Sequence, residues 1–279
     1  MLLRFIILLS LVLGAIIGIP TGIFESYTWL WALPLMALGF TLLFLLLVFL
    51  YVLLLCKRVD MQKPQDGEDP HYRRVLELIV ESVLPLLRVS VKVKGINKVP
   101  EGRFMLVCNH VQDLDPAPLF YALPGRQLAF VAKKEVRNMF IVGPMLHKLQ
   151  GQFIDRENDR EALKTILNCI RILKEDKASI AVFPEGGIHD DRKFHHFRPG
   201  VFKIAQKAQV PIVVCTLKNT RWLGYNVTHL KPTNVEVSVL TVIRPEEFEG
   251  LTTPELANQV YHIMAEDLGP ENVADEQNT

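Results

Sequence analysis

The chain has 279 residues with 31 Lys and Arg against 30 Asp and Glu, so its overall charge indicates no polyanionic partner. Only Arg4 and Glu25 of those 61 charged residues fall in the first 56 positions, and the remaining 223 residues carry 59, about 26%, as a soluble domain does. This split excludes a disordered chain and a wholly water-soluble one, and the balanced body excludes a nucleic-acid binder or a polybasic tether.

The first apolar run, Phe5 to Ile19, ends at Pro20 and Gly22. It reads as one arm of a membrane hairpin; a re-entrant piece or the apolar part of a signal peptide are alternatives that its length leaves open. From Trp29 to Cys56 there is no charge, and at ~1.5 Å per residue a helix of this length exceeds the ~30 Å hydrocarbon core. Trp29 and Trp31 at one end and Lys57 and Arg58 at the other are interfacial anchors, and the basic flank puts the body on the cytoplasmic side. The expected division is a membrane anchor over 1–58, a linker over 59–71, a globular domain over 72–268 and a disordered tail over 269–279. Cys56, Cys108, Cys169 and Cys215 form no C-x-x-C pair, which argues for buried thiols in a reducing compartment rather than disulfides or a zinc site.

Beyond the polar stretch Val59 to Pro70, apolar residues at 75, 76, 79, 80, 83 and 87 recur at helical spacing, predicting a helix packed on the body's core. The run VSVKVKG (Val89 to Gly95) alternates as a half-buried strand, and FMLVCN (Phe104 to Asn109) reads as a buried one. A strand over Leu128 to Ala132, a helix over Glu161 to Lys174 and a strand over Ala178 to Pro184 follow. A helix over Val201 to Gln209, strands over Pro211 to Leu217 and Val235 to Ile243, and a helix over Pro254 to Leu268 complete the pattern. Such alternation predicts an α/β body with a central mixed or largely parallel sheet flanked by helices.

Reactive side chains in such folds sit on loops past the carboxyl ends of strands, and two polar clusters occupy such places. In NHVQDLDP, Asn109 and His110 follow a buried strand, and Asp115 is placed to hold the imidazole tautomer, making His110 a general base. The same pattern is compatible with Asp113 or Asp115 capping a helix. In FPEGG, Glu185 offers an acceptor to substrate hydroxyls, while Gly186 and Gly187 allow close backbone approach. Between the clusters, GQFIDR presents Arg156, either as a phosphate or carboxylate clamp or as a partner of Asp155 or Asp159. The loop HDDRKFHHF, with His189, Asp190, Asp191, His195 and His196, has no familiar zinc spacing, so no metal is expected. No G-x-S-x-G elbow supports a serine hydrolase.

Taken in order, KGINKVPEG, NHVQDLDP, VAKKEV, GQFIDR, FPEGG and VPIVV resemble the motifs of the PlsC-like glycerolipid acyltransferases, from about Val93 to Leu217. The resemblance implies transfer of a fatty acyl chain from acyl-CoA or acyl carrier protein to the free hydroxyl of a lysophospholipid acceptor, 1-acylglycerol 3-phosphate first among them. It implies no metal and no cofactor beyond the acyl donor as co-substrate, a bilayer as the acceptor's source, and an integral cell-membrane protein with its catalytic domain facing the cytoplasm. His110 and Asp115 are the implied catalytic pair, with main-chain N–H groups stabilising the oxyanion. Arg156 is placed on the acceptor's phosphate, Glu185 with Gly186 on its glycerol portion and Lys134 near the phosphate, with Gly187 as a further substrate-binding residue. The chain departs from the family's F-P-E-G-T-R at Gly187 and Ile188, and the lost arginine leaves Arg192, Lys193 or Arg198 as replacements. A different lysolipid acceptor, or a membrane-anchored lipid-binding protein without turnover, are the alternatives.

Overall fold

The computed structural model describes residues 2–274, and its contacts divide the chain into two units, 1–60 and 61–279. In the first unit, α1 (Leu2–Gly18) and α2 (Trp29–Lys57) are joined by a short turn and pack on one another. Ser10, Gly14 and Gly18 recur every fourth residue on the buried face of α1. A Cβ on Gly14 would lie 3.2 Å from Leu33 Cδ1, so small side chains set the close approach of the two helices. With a mean hydropathy of 2.9 over its best window, α2 is long and apolar enough to cross a membrane. The 17 residues of α1 make a shorter apolar helix.

In the second unit, α3 (Pro70–Leu86) starts at Asp69, whose side chain accepts from His71 N at 3.1 Å. Then follow β1 (Val89–Lys94), β2 (Met105–Val107), α4 (Pro116–Ala122), β3 (Leu128–Lys133), α5 (Val142–Lys148) and β4 (Gln152–Ile154). The chain continues through α6 (Asp159–Lys174), β5 (Ser179–Val182), α7 (Lys203–Ala208), β6 (Ile212–Lys218), α8 (Leu223–Thr228), β7 (Thr233–Ile243) and α9 (Thr253–Leu268). The sheet order is β1-β7-β6-β2-β5-β3-β4; β6 and β7 run antiparallel and every other neighbouring pair is parallel. The mixed sheet with flanking helices is the predicted fold class.

Alternate side chains of the central strands feed two cores. Val107, Ile180, Val182 and Val214 pack with α6, α7 and α9, while Leu106, Cys108, Ala181 and Val213 pack with α3 and α4. β2 is only three residues long yet lies between β5 and β6, with Val107 in register with both Val182 and Val214. The loops leaving β2 and β5 therefore emerge side by side at the same edge of the sheet.

Two boundaries differ from expectation. Residues 61–69, read as linker, are strapped to the body: Asp69 N donates to Lys148 O at 3.0 Å, Gln150 Nε2 to Gly67 O at 2.6 Å, and Lys177 pairs with Asp66 at 2.9 Å. Backbone bonds of this kind are invisible to composition, which registers only the polar residues. At the other end, residues 269–274 were expected to be disordered but form a 3₁₀ turn over Pro270–Asn272, followed by a bridge from Val273 to Phe194. Phe194 N donates to Asn272 O at 2.8 Å, and Ala274 N to Phe194 O at 2.9 Å, so this segment gains partners only through the tertiary fold. The rest of the expected tail, 275–279, lies outside the described residues.

Candidate active site

The buried run of β2 ends in Cys108 and Asn109, and Asn109 fastens the loop to β6: its Nδ2 donates to Leu217 O at 3.0 Å and its Oδ1 accepts from Leu217 N at 2.7 Å. This fixes where the chain turns off the sheet, and the next residue is His110. Pro116 then starts α4, and the preceding residue, Asp115, points back into the loop.

Asp115 is fully buried, and one oxygen, Oδ2, accepts three N–H groups: His110 Nδ1 at 3.0 Å, Val111 N at 2.8 Å and Gln112 N at 2.8 Å. The cap reading of Asp115 is thus partly realised, because it holds backbone N–H groups of the loop before α4, and the same carboxylate also holds the imidazole. With Nδ1 engaged as a donor, Nε2 is the ring's free acceptor. The ring stacks on Phe183 at 4.2 Å between centroids and 20° between planes, which restricts its rotation. The sequence alone did not mark Phe183 as part of the site, although its place directly before Pro184 and Glu185 is the signal that would have found it.

Glu185 departs from the expected role of open acceptor for substrate hydroxyls. It is 4% exposed, Oε1 accepts from His110 N at 2.6 Å, and Oε2 accepts from His195 N at 3.0 Å. It is a clasp between the loop after β2 and the loop after β5. Burial pushes its carboxyl up to about 8; the two N–H bonds pull the other way, and the neighbouring Asp115 and Asp191 carboxylates add to the rise. The expected oxyanion donors are narrowed by the same contacts, since the main-chain N–H groups of His110, Val111 and Gln112 are all taken by carboxyl groups.

Arg156 follows β4 and reaches the FPEGG turn, where its Nη1 donates to Gly186 O. This, and not an ion pair with Asp155 or Asp159, is its contact. Gly186 has φ +82°, a left-handed conformation that glycine adopts without strain, and Gly187 brings its backbone near Arg156. Lys134 lies apart from this cluster of contacts: its Nζ is bound to Asp155 at 2.9 Å, a pairing that raises its pKa.

Beside Glu185, the loop HDDRKFHHF makes a second His–Asp pair, with His195 Nε2 at 2.9 Å and 3.0 Å from the two oxygens of Asp191. His189 stacks on His195 at 3.7 Å, and burial followed by the charge of His195 lowers its pKa. Among the described residues, no group of three or more His, Cys, Asp or Glu side chains is arranged to hold a metal ion. Cys56, Cys108, Cys169 and Cys215 are buried, and none is joined in a disulfide among the described residues.

Residues 90–218 match the acyltransferase family. The chain is similar to 1-acyl-sn-glycerol-3-phosphate acyltransferase alpha of Homo sapiens, 28% identical over 202 residues that cover 71% of this chain and 70% of the human one. It is also similar to a probable 1-acyl-sn-glycerol-3-phosphate acyltransferase of Mycoplasma genitalium, 29% identical over 212 residues, covering 68% and 77% of the two chains. Among solved structures, the 1-acyl-sn-glycerophosphate acyltransferase PlsC of Thermotoga maritima matches with a TM-score of 0.59 over 78% of this chain and 85% of its own, at 22% identity. That last likeness is one of fold.

Proposed function

We propose that the chain, whose residues 90–218 match the acyltransferase family, acylates the free hydroxyl of 1-acylglycerol 3-phosphate to give phosphatidic acid, using His110 as general base. The observation that carries this reading is the His110–Asp115 pair, pre-set at the carboxyl ends of β2 and β5 with Nε2 left as acceptor. Nε2 takes the proton of the acceptor hydroxyl as its oxygen attacks the thioester carbonyl of acyl-CoA or an acyl carrier protein. The imidazolium formed is stabilised by Asp115. When the tetrahedral intermediate collapses, the C–S bond breaks and the proton passes from His110 to the leaving thiolate, so no acyl-enzyme forms and no cofactor is consumed. Phe183 keeps the ring in place through both transfers.

Membrane attachment suits an acceptor that is itself a lipid. In this reading α2 crosses the bilayer, with Lys57 and Arg58 at its cytoplasmic end, α1 is the other arm of the hairpin, and the acyltransferase domain meets its soluble donor in the cytoplasm. The test is purified full-length protein supplied with acyl-CoA or acyl carrier protein and a panel of lysolipids, with products identified by mass. Phosphatidic acid is the expected main product. Acylation confined to acceptors that lack a phosphate monoester would overturn the assignment.

A further inference from the structure

Arg198 lies in the loop after FPEGG, beyond the turn that Arg156 touches. Its N–H donates to Pro184 O at 2.8 Å, folding the loop back over the turn. Its side chain then crosses Gly186 so closely that a Cβ there would lie 2.6 Å from Nε and 2.7 Å from Cδ. Arg156 comes to the same dipeptide from β4, with its Nη1 on Gly186 O and 3.5 Å from where a Cβ on Gly187 would stand. Ile188, the next residue along, brings no charge.

Two guanidinium groups thus share one pair of glycines, and neither forms an ion pair with a carboxylate among the described residues. Burial, and then the nearby charge of Arg198, holds Arg156 below its ordinary value, so the pair repels itself when nothing anionic lies between. Both line a cavity of about 410 Å³ that has Lys203 on its wall and Asp159 as the sole acidic residue of its lining. The rest of that wall is largely apolar and includes Phe183, whose ring stacks on His110. A cationic patch on an otherwise apolar cavity, one ring away from the base, fits an anionic head carried on a lipid.

We infer that Arg198 is the second phosphate ligand of the acceptor site, closing with Arg156 on the phosphate monoester of the lysolipid. Two planar forks can each bind two phosphate oxygens, and together they match a dianion better than a single carboxylate. Gly186 is required because any side chain there would displace Arg198. The inference rests on the phosphatidic acid reading for the identity of the lipid, but not for the presence of the phosphate site.

The test combines binding and kinetics on the full chain in detergent. Calorimetric titration with sn-glycerol 3-phosphate is expected to show binding by the parent, and none with glycerol. In Arg198→Gln the affinity falls about 10- to 100-fold, the size of one charged hydrogen-bonding partner lost. In Arg198→Lys, which keeps the charge without the fork, the loss is smaller. In turnover, KM for 1-acylglycerol 3-phosphate rises by the same factor, while kcat and the donor's KM change less than about threefold, a split that a general loss of structure would not produce. If the parent uses the phosphorylated acceptor and Arg198→Gln leaves its KM and the titration unchanged, Arg198 is not a ligand and the acyltransferase reading stands. A rise confined to the donor's KM would assign the pair to a donor phosphate and overturn the inference. If the parent acylates only unphosphorylated lipids, the acceptor reading fails, and the titration still decides: binding lost in Arg198→Gln supports the site, and no binding by the parent ends it.

Discussion

Two His–Asp pairs flank Glu185, and only one of them is built like a catalytic base. Asp115 is buried, spends a single oxygen on three N–H donors and binds the imidazole through Nδ1, which leaves Nε2 open. Asp191 has a side chain 44% exposed and binds His195 through Nε2, while His189 covers the imidazole face. Residue types and near-equal spacings are shared, so composition does not separate the pairs. The difference lies in which nitrogen is engaged and in how firmly the aspartate is held by the backbone. A loop that fixes the carboxylate first can orient a histidine; a surface aspartate that merely meets one cannot.

The contrast is sharpest in His110→Ala against His195→Ala. His110→Ala is expected to lower kcat by about 10²- to 10⁴-fold, the usual worth of a general base, in an assay with labelled acyl donor. Retention of parental activity would break the comparison. Next comes Asp115→Asn, in which the amide can still accept from some of the loop N–H groups but no longer stabilises the imidazolium. A loss of about 10²-fold in kcat, with acceptor KM little changed, is expected from a steady-state assay. Asp191→Asn should leave kcat within about threefold.

Glu185→Gln ranks third. It replaces one acceptor oxygen with an NH₂ group facing a buried main-chain N–H, which costs about 1–3 kcal/mol and should appear as a lower thermal midpoint. Its pH dependence gives a sharper result. The folded carboxyl sits at about 8 against an ordinary 4.5, so the folded protein holds the extra proton between those limits. The stability from this group is full below about pH 4.5 and is lost as pH rises through about 8, by up to ~1.4 kcal/mol per pH unit. Melting the parent and Glu185→Gln from pH 5 to pH 9 should show a parental advantage that narrows as pH rises and then reverses; a constant difference would mean that the clasp does not titrate. The smallest effect belongs to His195→Ala, which keeps the main-chain N–H that Glu185 accepts. Activity within about threefold of the parent and a stability loss of about 1 kcal/mol or less are expected, read by the same assays.

Much of the body was legible in the sequence because its elements are amphipathic or continuously apolar. α3, α6 and α9 have helical spacing, and β1, β5, β6 and β7 alternate or run apolar, so their boundaries fall within a few residues of those expected. The short helices α5 and α8, of seven and six residues, were not predicted, since less than two turns gives little period to detect, and α4 was signalled only by its capping aspartate. At the site, His110, Asp115 and Arg156 carried their signal in motif order. The N–H contacts of Glu185 were not legible, because residue type cannot say whether a carboxylate meets the main chain of two loops.

The sequence by itself determined the division into an uncharged head and a charge-balanced body, the α/β alternation and the ordered motifs that mark an acyltransferase, all properties of local pattern. Only the tertiary structure decided that β2 lies between β5 and β6, that Glu185 clasps two loops, and that Arg198 lies across Gly186 beside Arg156. Strand order and side-chain meeting points depend on contacts between residues tens of positions apart, and no local period encodes them.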